Sequence, residues 1–278
     1  MKIGFIDYFL DEWHANTFPA EIKELSGGKA YVAYAYGKID SPREGGMTNA
    51  DWCKTHGVEQ IFSIEELVEK SDAILVLSPD NPEQHEELCQ IPLKSGKPVY
   101  VDKTFADTKA AAERIFAIAN AHNTPCFSAS ALPFTEEHQA HVGKEIESIV
   151  SIGAGTIQHY SVHQVEPILM LMGTQAKQVM FTGTEAFPAY TIEFADGRRA
   201  SVSFNHWGTP FGLVANFKDG NAQQYTIQSD FKPPFIKALL NFFENGVIPL
   251  NQELTITGVA IIEAAQKGMK APYTWVQV

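Results

Sequence analysis

The fold is decided by the stretch Lys97-Pro98-Val99-Tyr100-Val101-Asp102-Lys103-Thr104. Its apolar centre, Val99 to Val101, is short and rich in β-branched and aromatic residues, which is typical of a buried strand. The strand ends abruptly in a carboxylate, an ammonium and a hydroxyl group. Because ligands bind just beyond the carboxyl ends of strands in open parallel sheets, Asp102 and Lys103 are candidate site residues. For an isolated Asp-Lys pair, a surface ion pair is the simpler interpretation.

Strand-like and helix-like segments alternate on both sides of this strand. Ser63 followed by Glu66 is a capping box, which predicts the start of a helix. The strand-like runs lie at residues 3–6, 30–35, 73–77, 99–101 and 124–128, and the helix-like ones at about 20–25, 49–56, 64–70, 83–88 and 108–122. This alternation predicts an α/β fold over residues 1–127, with a Rossmann-like, doubly wound parallel sheet.

After residue 127 the pattern changes, and strand-like runs follow one another in quick succession. Asp196-Gly197 and Asp219-Gly220 lie between such runs and are hairpin turn signals. The predicted strands are 149–154, 178–182, 189–194, 200–205, 213–217 and 224–228, and the predicted helices are 135–141, 164–172, 235–245 and 254–268. We therefore predict a second, α+β domain over residues 128–278, with an open, mainly antiparallel sheet.

The composition excludes several functional classes. A net charge of −12 and a pI near 5.2 argue against a nucleic-acid partner, because nothing would neutralise the phosphates. No apolar stretch approaches the roughly 20 residues of a membrane span. The cysteines, Cys53, Cys89 and Cys126, are scattered without a paired motif, and Met1 runs directly into a strand-like segment that leaves no room for a signal peptide. These features predict a cytoplasmic protein.

The order of motifs between Ser63 and Thr104 resembles the Gfo/Idh/MocA family of NAD(P)-dependent oxidoreductases, which includes glucose–fructose oxidoreductase and inositol dehydrogenase. The family carries a histidine after a proline-containing turn, and then a strand that ends in Glu-Lys-Pro. The matching positions here are Pro79, His85, Gly96, Lys97, Val99, Asp102 and Lys103. The segment His163-Gln164-Val165-Glu166-Pro167 is similar to the start of the helix that carries the family's catalytic histidine.

The resemblance implies hydride transfer between the nicotinamide of NAD or NADP and a small-molecule substrate, a sugar-like or polyol alcohol. Oxidation of an alcohol needs a base for the hydroxyl proton and a positive neighbour for the developing alkoxide. The matching positions are Lys103 and His163, and His159 stands where some members carry an aspartate. The residues implied in cofactor binding are Asp7, Phe9, Ser78, Pro79, His85, Asp102 and Lys103. The family also implies a homo-oligomer through the open face of the second sheet, which offers Phe194, Phe204, Trp207 and Phe217.

The chain departs from the family at the turn after the first strand. A dinucleotide fingerprint, G-x-G-x-x-G, should follow that strand, because glycines let the backbone approach the pyrophosphate. Here Asp7, Phe9 and Glu12 fill the glycine positions, and no glycine occurs between Gly4 and Gly27. The carboxylates would oppose the phosphates, at a cost of about 1 kcal/mol per close pair in water and about 4 at an effective dielectric of 20.

These departures leave two functional hypotheses open. The first is an oxidoreductase that holds its cofactor atypically, and the second is a repurposed member that has lost dinucleotide binding and binds another ligand or a partner. The carboxylates around His14 are expected to serve a helix N-terminus, and no metal site is predicted. His138 and His141 are interpreted as part of a solvated helix face. Trp207 either packs in the second sheet or stacks on a sugar.

Overall fold

The computed structural model describes residues 1–278, and the chain divides into two compact units. Unit 1 comprises residues 1–128 and 232–251, and unit 2 comprises residues 129–231 and 252–278. The division after residue 128 lies beside the predicted boundary at 127/128. The segment 232–251, which the sequence placed in the second domain, groups with unit 1.

Unit 1 is built on a six-stranded parallel sheet, which confirms the predicted Rossmann-like fold. The spatial order of the strands is β3-β2-β1-β4-β5-β6. Their bounds are β1 Lys2–Asp7, β2 Tyr31–Gly37, β3 Glu59–Gln60, β4 Ala73–Val76, β5 Val99–Val101 and β6 Cys126–Phe127. The order reverses between β1 and β4, so the two strands end side by side at the position where α/β sheets bind ligands.

The helices of unit 1 cover this sheet. Their bounds are α1 Trp13–Leu25, α2 Asn49–His56, α3 Ile64–Lys70, α4 His85–Leu88, α5 Lys109–Ala121 and α9 Lys232–Asn245. Gly4 in β1 is required for this packing, because a Cβ there would lie 2.4 Å from Ser71 Oγ and 2.5 Å from a Leu67 methyl group. Helix α9 packs on the unit through Phe235, whose ring lies 5.8 Å from that of Phe18. Such buried aromatic contacts explain why α9 belongs to unit 1.

The predicted start of α1 near Ala20 is wrong, because the helix begins at Trp13. Pro19 was expected to precede the helix but lies inside it. The residues Ala15, Phe18 and Ile22 are buried at helical spacing, and this apolar face outweighs the unfavourable proline. Because of this early start, Glu12, which fills one of the glycine positions of the fingerprint, directly precedes the helix.

Unit 2 is built on a seven-stranded sheet in the order β12-β11-β7-β10-β9-β8-β13. The strands are β7 Ile146–Ala154, β8 Ala176–Phe181, β9 Ala189–Phe194, β10 Arg199–Asn205, β11 Gly212–Phe217, β12 Ala222–Thr226 and β13 Trp275–Gln277. All neighbours are antiparallel except β7 and β10, which pair in parallel. The sheet is therefore mixed but mainly antiparallel, as expected. Phe194 and Phe204 are buried, so they do not lie on an open face.

The helices of unit 2 are α6 Glu136–Gln139, α7 Ile157–Tyr160, α8 Val162–Met172 and α10 Gln252–Met269. The interpretation of His138 and His141 as a solvated face is wrong, because both are buried. His138 Nδ1 lies 2.9 Å from the hydroxyl of Tyr225, and the ring of His141 stacks on that tyrosine at 4.7 Å. Burial lowers the pKa of His138 to about 4, so its ring is neutral at pH 7. Across both units, no helix combines the length and apolarity needed to cross a bilayer.

Candidate functional site

The first group of candidate residues lies at the carboxyl ends of β1, β4 and β5 in unit 1. Asp7 is the last residue of β1, and Asp102 directly follows β5. Ser78 lies just beyond β4 in the left-handed region, with a φ of 81°. Because the three strands are neighbours in the parallel sheet, their ends bring Asp7, Ser78 and Asp102 to one edge.

Asp102 is the most heavily bonded of these side chains. It is fully buried, and one oxygen accepts hydrogen bonds from the hydroxyl of Tyr100 at 3.0 Å and the backbone N–H of Lys103 at 2.7 Å. Its other oxygen pairs with Nδ1 of His14 in the first turn of α1. Burial alone would raise the pKa of Asp102, but the charge and hydrogen bond of His14 hold it below the usual range. Asp102 is therefore an ionised group that fixes the ring of His14.

The N-terminus of α1 is capped by Glu12, whose carboxylate lies where a fingerprint glycine would leave open space. Glu12 Oε2 accepts the N–H of His14 at 2.7 Å, and Oε1 accepts the N–H of Ala15. The side chain is only 1% exposed. Two helix N–H groups that could bind an external anion are thus already bonded inside the protein.

The buried carboxylates beside this cap have unusual protonation. Burial raises the pKa of Glu12 to about 7, and the nearby charge of Asp102 contributes to the rise. Burial also raises the pKa of Asp7 well above its usual range, and the charges of Glu12 and Asp102 add to that effect. Neither side-chain oxygen of Asp7 makes a hydrogen bond of regular geometry. Burial and mutual repulsion thus make both carboxyl groups weaker acids than usual, and Glu12 is close to its midpoint at neutral pH.

A dinucleotide, which the fold family implies, does not fit this turn in the usual way. Its pyrophosphate would need the N–H groups that Glu12 already occupies, and it would meet the buried carboxyl group of Asp7. Phe9 is 5% exposed and Leu10 is fully buried, so the backbone of the turn is covered by its own side chains.

Other predicted cofactor residues lie along the same edge of the sheet. Lys103 is half-buried, and its Nζ lies 3.5 Å from the carbonyl oxygen of Pro79. His85 is fully buried, and its ring nitrogens lie 2.6 Å and 3.0 Å from the carbonyl oxygens of Leu77 and Phe105. His85 therefore ties the end of β4 to the segment after β5, while Lys103 remains the cation at the strand end.

The second group of candidate residues lies in unit 2, at the junction of α7 and α8. His159 is in α7, and His163 is the second residue of α8; both are half-buried. The start of α8 is fixed by the buried Gln164, which accepts a hydrogen bond from Ser151 Oγ at 2.8 Å and donates one to the carbonyl of Ser203 at 3.4 Å. The central strands β7 and β10 thus set the position of His163.

Two aromatic rings flank His163, and two glycines make room for them. The rings of Tyr160 and Phe211 lie 5.5 Å and 5.7 Å from its imidazole, both edge-on. Gly153 makes room for Phe211, because a Cβ there would lie 2.4 Å from that ring. Gly155, with a φ of 106°, makes the same room for Tyr160 at 2.3 Å.

Trp207 extends this aromatic group to the surface. It is 69% exposed, so the interpretation that it packs within the sheet is wrong. Its ring contacts Tyr160 edge-on at 5.0 Å. The ring of Tyr160 lies between this indole and His163. The exposed face of the indole is suited to stack on the apolar face of a ligand ring.

Sequence reasoning missed the pairing of His14 with Asp102 and the roles of Gly153 and Gly155. The histidine and its partner are 88 residues apart in the chain, and no local pattern links them. The expectation that carboxylates around His14 serve a helix N-terminus is confirmed at Glu12, which caps α1. The glycines did carry a signal, since a glycine pair at the end of a predicted strand indicates close approach of another group.

Comparison with known proteins places these features in context. Residues 39–130 match the sequence model of the Gfo/Idh/MocA oxidoreductase family, which describes an NAD-binding Rossmann fold. The match confirms the resemblance indicated by residues 63–104. It begins after β1, α1 and β2, and therefore omits the turn that Glu12 caps. No curated protein sequence matches the chain.

Several solved structures share the fold of the whole chain at low sequence identity. One is GenD2 from gentamicin A biosynthesis in complex with NAD, with a TM-score of 0.77, 12% identity, and coverage of 100% of this chain and 96% of that one. Another is an NAD-binding oxidoreductase from Klebsiella pneumoniae, with a TM-score of 0.76, 11% identity, and coverage of 100% and 99%. A third is biliverdin reductase from Synechocystis sp. PCC 6803 in complex with biliverdin and NADP+, with a TM-score of 0.70, 14% identity, and coverage of 97% and 99%. At these identities the likeness concerns the fold alone.

Proposed function

From the premise that this chain is of the Gfo/Idh/MocA type, we propose that it is an oxidoreductase of a sugar-like or polyol alcohol. The reaction class is hydride exchange between the alcohol carbon and the nicotinamide of NAD or NADP. The observation that carries the substrate class is the exposed indole of Trp207 beside the Tyr160–His163 pair. A pyranose or polyol presents C–H groups to such a ring and hydroxyl groups to the histidine.

The proposed proton chemistry rests on two side chains. His163 takes the hydroxyl proton of the alcohol, and the edge-on rings of Tyr160 and Phe211 restrict the orientation of its imidazole. In unit 1, by the resemblance to the family, the ammonium group of Lys103 is proposed to stabilise negative charge that develops during the reaction. His159, which lies close in sequence to His163, is proposed to support the same site.

The proposal is tested by binding and turnover with the purified protein. NADH and NADPH are titrated by fluorescence, and a panel of sugars and polyols is then assayed with NAD and NADP. We expect a Kd or KM within the range up to about 1 mM that is usual for enzymes. Absence of binding at millimolar concentration in folded protein, together with absence of turnover, would overturn it.

The contribution of Trp207 is tested separately on an active substrate. Trp207→Ala should raise KM about tenfold with little change in kcat, since a stacked ring contributes roughly 1 kcal/mol beyond its buried area. Phe62→Ala is the matched control, because Phe62 is also strongly exposed, at 80%, but lies in unit 1. An unchanged KM in Trp207→Ala would remove the indole from the substrate site.

One observation favours a second candidate function. Because Glu12 fills the N-terminus of α1, the chain could be a repurposed family member that binds another ligand or a partner. In that case Lys103→Ala and His163→Ala leave its biological activity intact. A large loss of turnover in either variant would exclude this candidate.

We also propose a cytoplasmic homo-oligomer. On β7, Val150 and Ile152 are 45% and 38% exposed, although this strand lies in the middle of its sheet. A second copy of the chain would cover these side chains. Light scattering of the wild type and of Val150→Asp tests this, and a wild-type monomer at micromolar concentration would contradict it.

A further inference from the structure

We infer that Glu12 is an internal substitute for a phosphate group and that it excludes nucleoside diphosphates from the β1–α1 turn. This inference goes beyond the proposed function, since it concerns which ligands the turn rejects. It applies to the adenosine-diphosphate half of a dinucleotide, whatever reaction the protein catalyses.

The first support is the identity of the groups that Glu12 bonds. A carboxylate, like a phosphate, presents acceptor oxygens and negative charge to a helix N-terminus. The oxygens of Glu12 take the N–H groups of His14 and Ala15, which belong to the first turn of α1. A diphosphate placed at this helix would have to displace the side chain from both.

The second support is that the turn is braced from outside and is not an open loop. Asp11 accepts hydrogen bonds from the backbone N–H of Met47 at 3.0 Å and from the amide of Asn16 at 3.2 Å. The side-chain amide oxygen (Oδ1) of Asn16 in turn accepts the indole N–H of Trp52 at 2.8 Å. These contacts hold the backbone around Glu12, so displacement of the carboxylate would disturb a packed structure.

The third support is the charge that would remain if Glu12 moved away. Asp7 and Asp102 are both fully buried beside the cap. The ring of His14 is already paired with Asp102, and the ammonium group of Lys103, just beyond β5, lies 3.5 Å from the carbonyl oxygen of Pro79. A phosphate entering this position would therefore meet two buried carboxyl groups, which opposes binding.

The inference is tested with ADP as the probe, by isothermal titration calorimetry of the full chain. The wild type is compared with Glu12→Ser, in which a serine hydroxyl can still cap α1 but the carboxylate and its bulk are gone. Glu12→Gln keeps the size but removes the charge and one of the two acceptor oxygens, and it serves if the serine variant does not fold. Glu24→Gln is the matched control, because Glu24 is exposed on the same helix and its loss changes the net charge equally.

We expect ADP to bind Glu12→Ser at least tenfold more tightly than the wild type or Glu24→Gln, because removal of one close like charge is worth tenfold or more. The inference is overturned if the Glu12 variants bind ADP no better than the wild type, whether all of them bind or none does. This failure differs from failure of the proposed function, which depends on nicotinamide binding and turnover by the wild type.

Discussion

Two strand-to-helix turns in this protein lie beside candidate functional residues, and they are built in opposite ways. At the end of β7, Gly153 and Gly155 remove side-chain bulk so that aromatic rings can pack beside His163. After β1, where the fold family uses glycines, the chain instead places Asp7 and Glu12 and fills the space itself. The first turn makes room for neighbouring groups, whereas the second leaves none.

The contrast teaches that the sheet and the turn after β1 are specified by different residues. The sheet is stabilised by buried strands, which do not depend on the turn. A ligand can bind at the turn only if it reaches the backbone N–H groups there, and a few side chains are enough to cover them. The family match over residues 39–130, which omits this turn, agrees with that separation.

The largest expected effect is on turnover, and it tests the turn after β7. His163→Asn should lower kcat about 10²- to 10⁴-fold on an active substrate, because a positioned acid–base group contributes that much. His122→Asn, at an exposed position after α5, is the control. A His163→Asn variant with wild-type kcat would contradict the assignment of His163.

Lys103→Met should also lower kcat, and Lys94→Met, at an exposed position, is its control.

A large effect on stability is expected at Asp102, which follows β5 and pairs with His14 next to the turn after β1. Asp102→Ala removes the buried partner of His14 and the acceptor of two further hydrogen bonds, so we expect a loss of about 3–5 kcal/mol in the free energy of unfolding. Urea denaturation at pH 7 measures it, with Asp107→Ala as the exposed control. A loss no greater than in the control would show that the pair is not formed.

The pH dependence of stability sharpens the comparison further. The pKa of Glu12 rises on folding from 4.5 to about 7. Its contribution is therefore fully present below about pH 4.5 and is lost as the pH rises through 7, by at most about 3 kcal/mol. Glu12→Gln should lack this loss, so its stability relative to the wild type should increase between pH 5 and pH 8.

Urea denaturation at those two pH values gives the comparison. The control Glu24→Gln should follow the wild type, because Glu24 is exposed. An equal pH dependence in the wild type and in Glu12→Gln would mean that folding does not raise the pKa of Glu12.

The smallest expected effect is on stability, at Gly153 near the end of β7. Gly153→Ala should destabilise the protein by about 1–3 kcal/mol, because its Cβ would overlap the ring of Phe211. Gly258→Ala in α10 is a matched control, since its Cβ would lie 3.8 Å from its nearest neighbours and alanine favours a helix. Thermal unfolding measures both, and equal melting temperatures would show that Phe211 does not need the space.

Much of this account was predictable from local sequence patterns. Strands such as 73–76 and the cap at Ser63 follow from apolar runs and short motifs, and the structure confirms them. The start of α1 was not predictable, because Pro19 is a strong local breaker and the cap at Glu12 is atypical. The pairing of His14 with Asp102 depends on two distant segments that only the folded sheet brings together.

The central claim is that the β1–α1 turn is filled by the protein's own carboxylate and anchors no pyrophosphate. The most direct measurement compares wild-type affinity for NADH with that for reduced nicotinamide mononucleotide, which lacks the adenosine half. We predict that the two dissociation constants agree within about threefold, which is less than 1 kcal/mol. An affinity for NADH that is about a hundredfold higher or more would show that the pyrophosphate and adenosine are bound, and would contradict the claim.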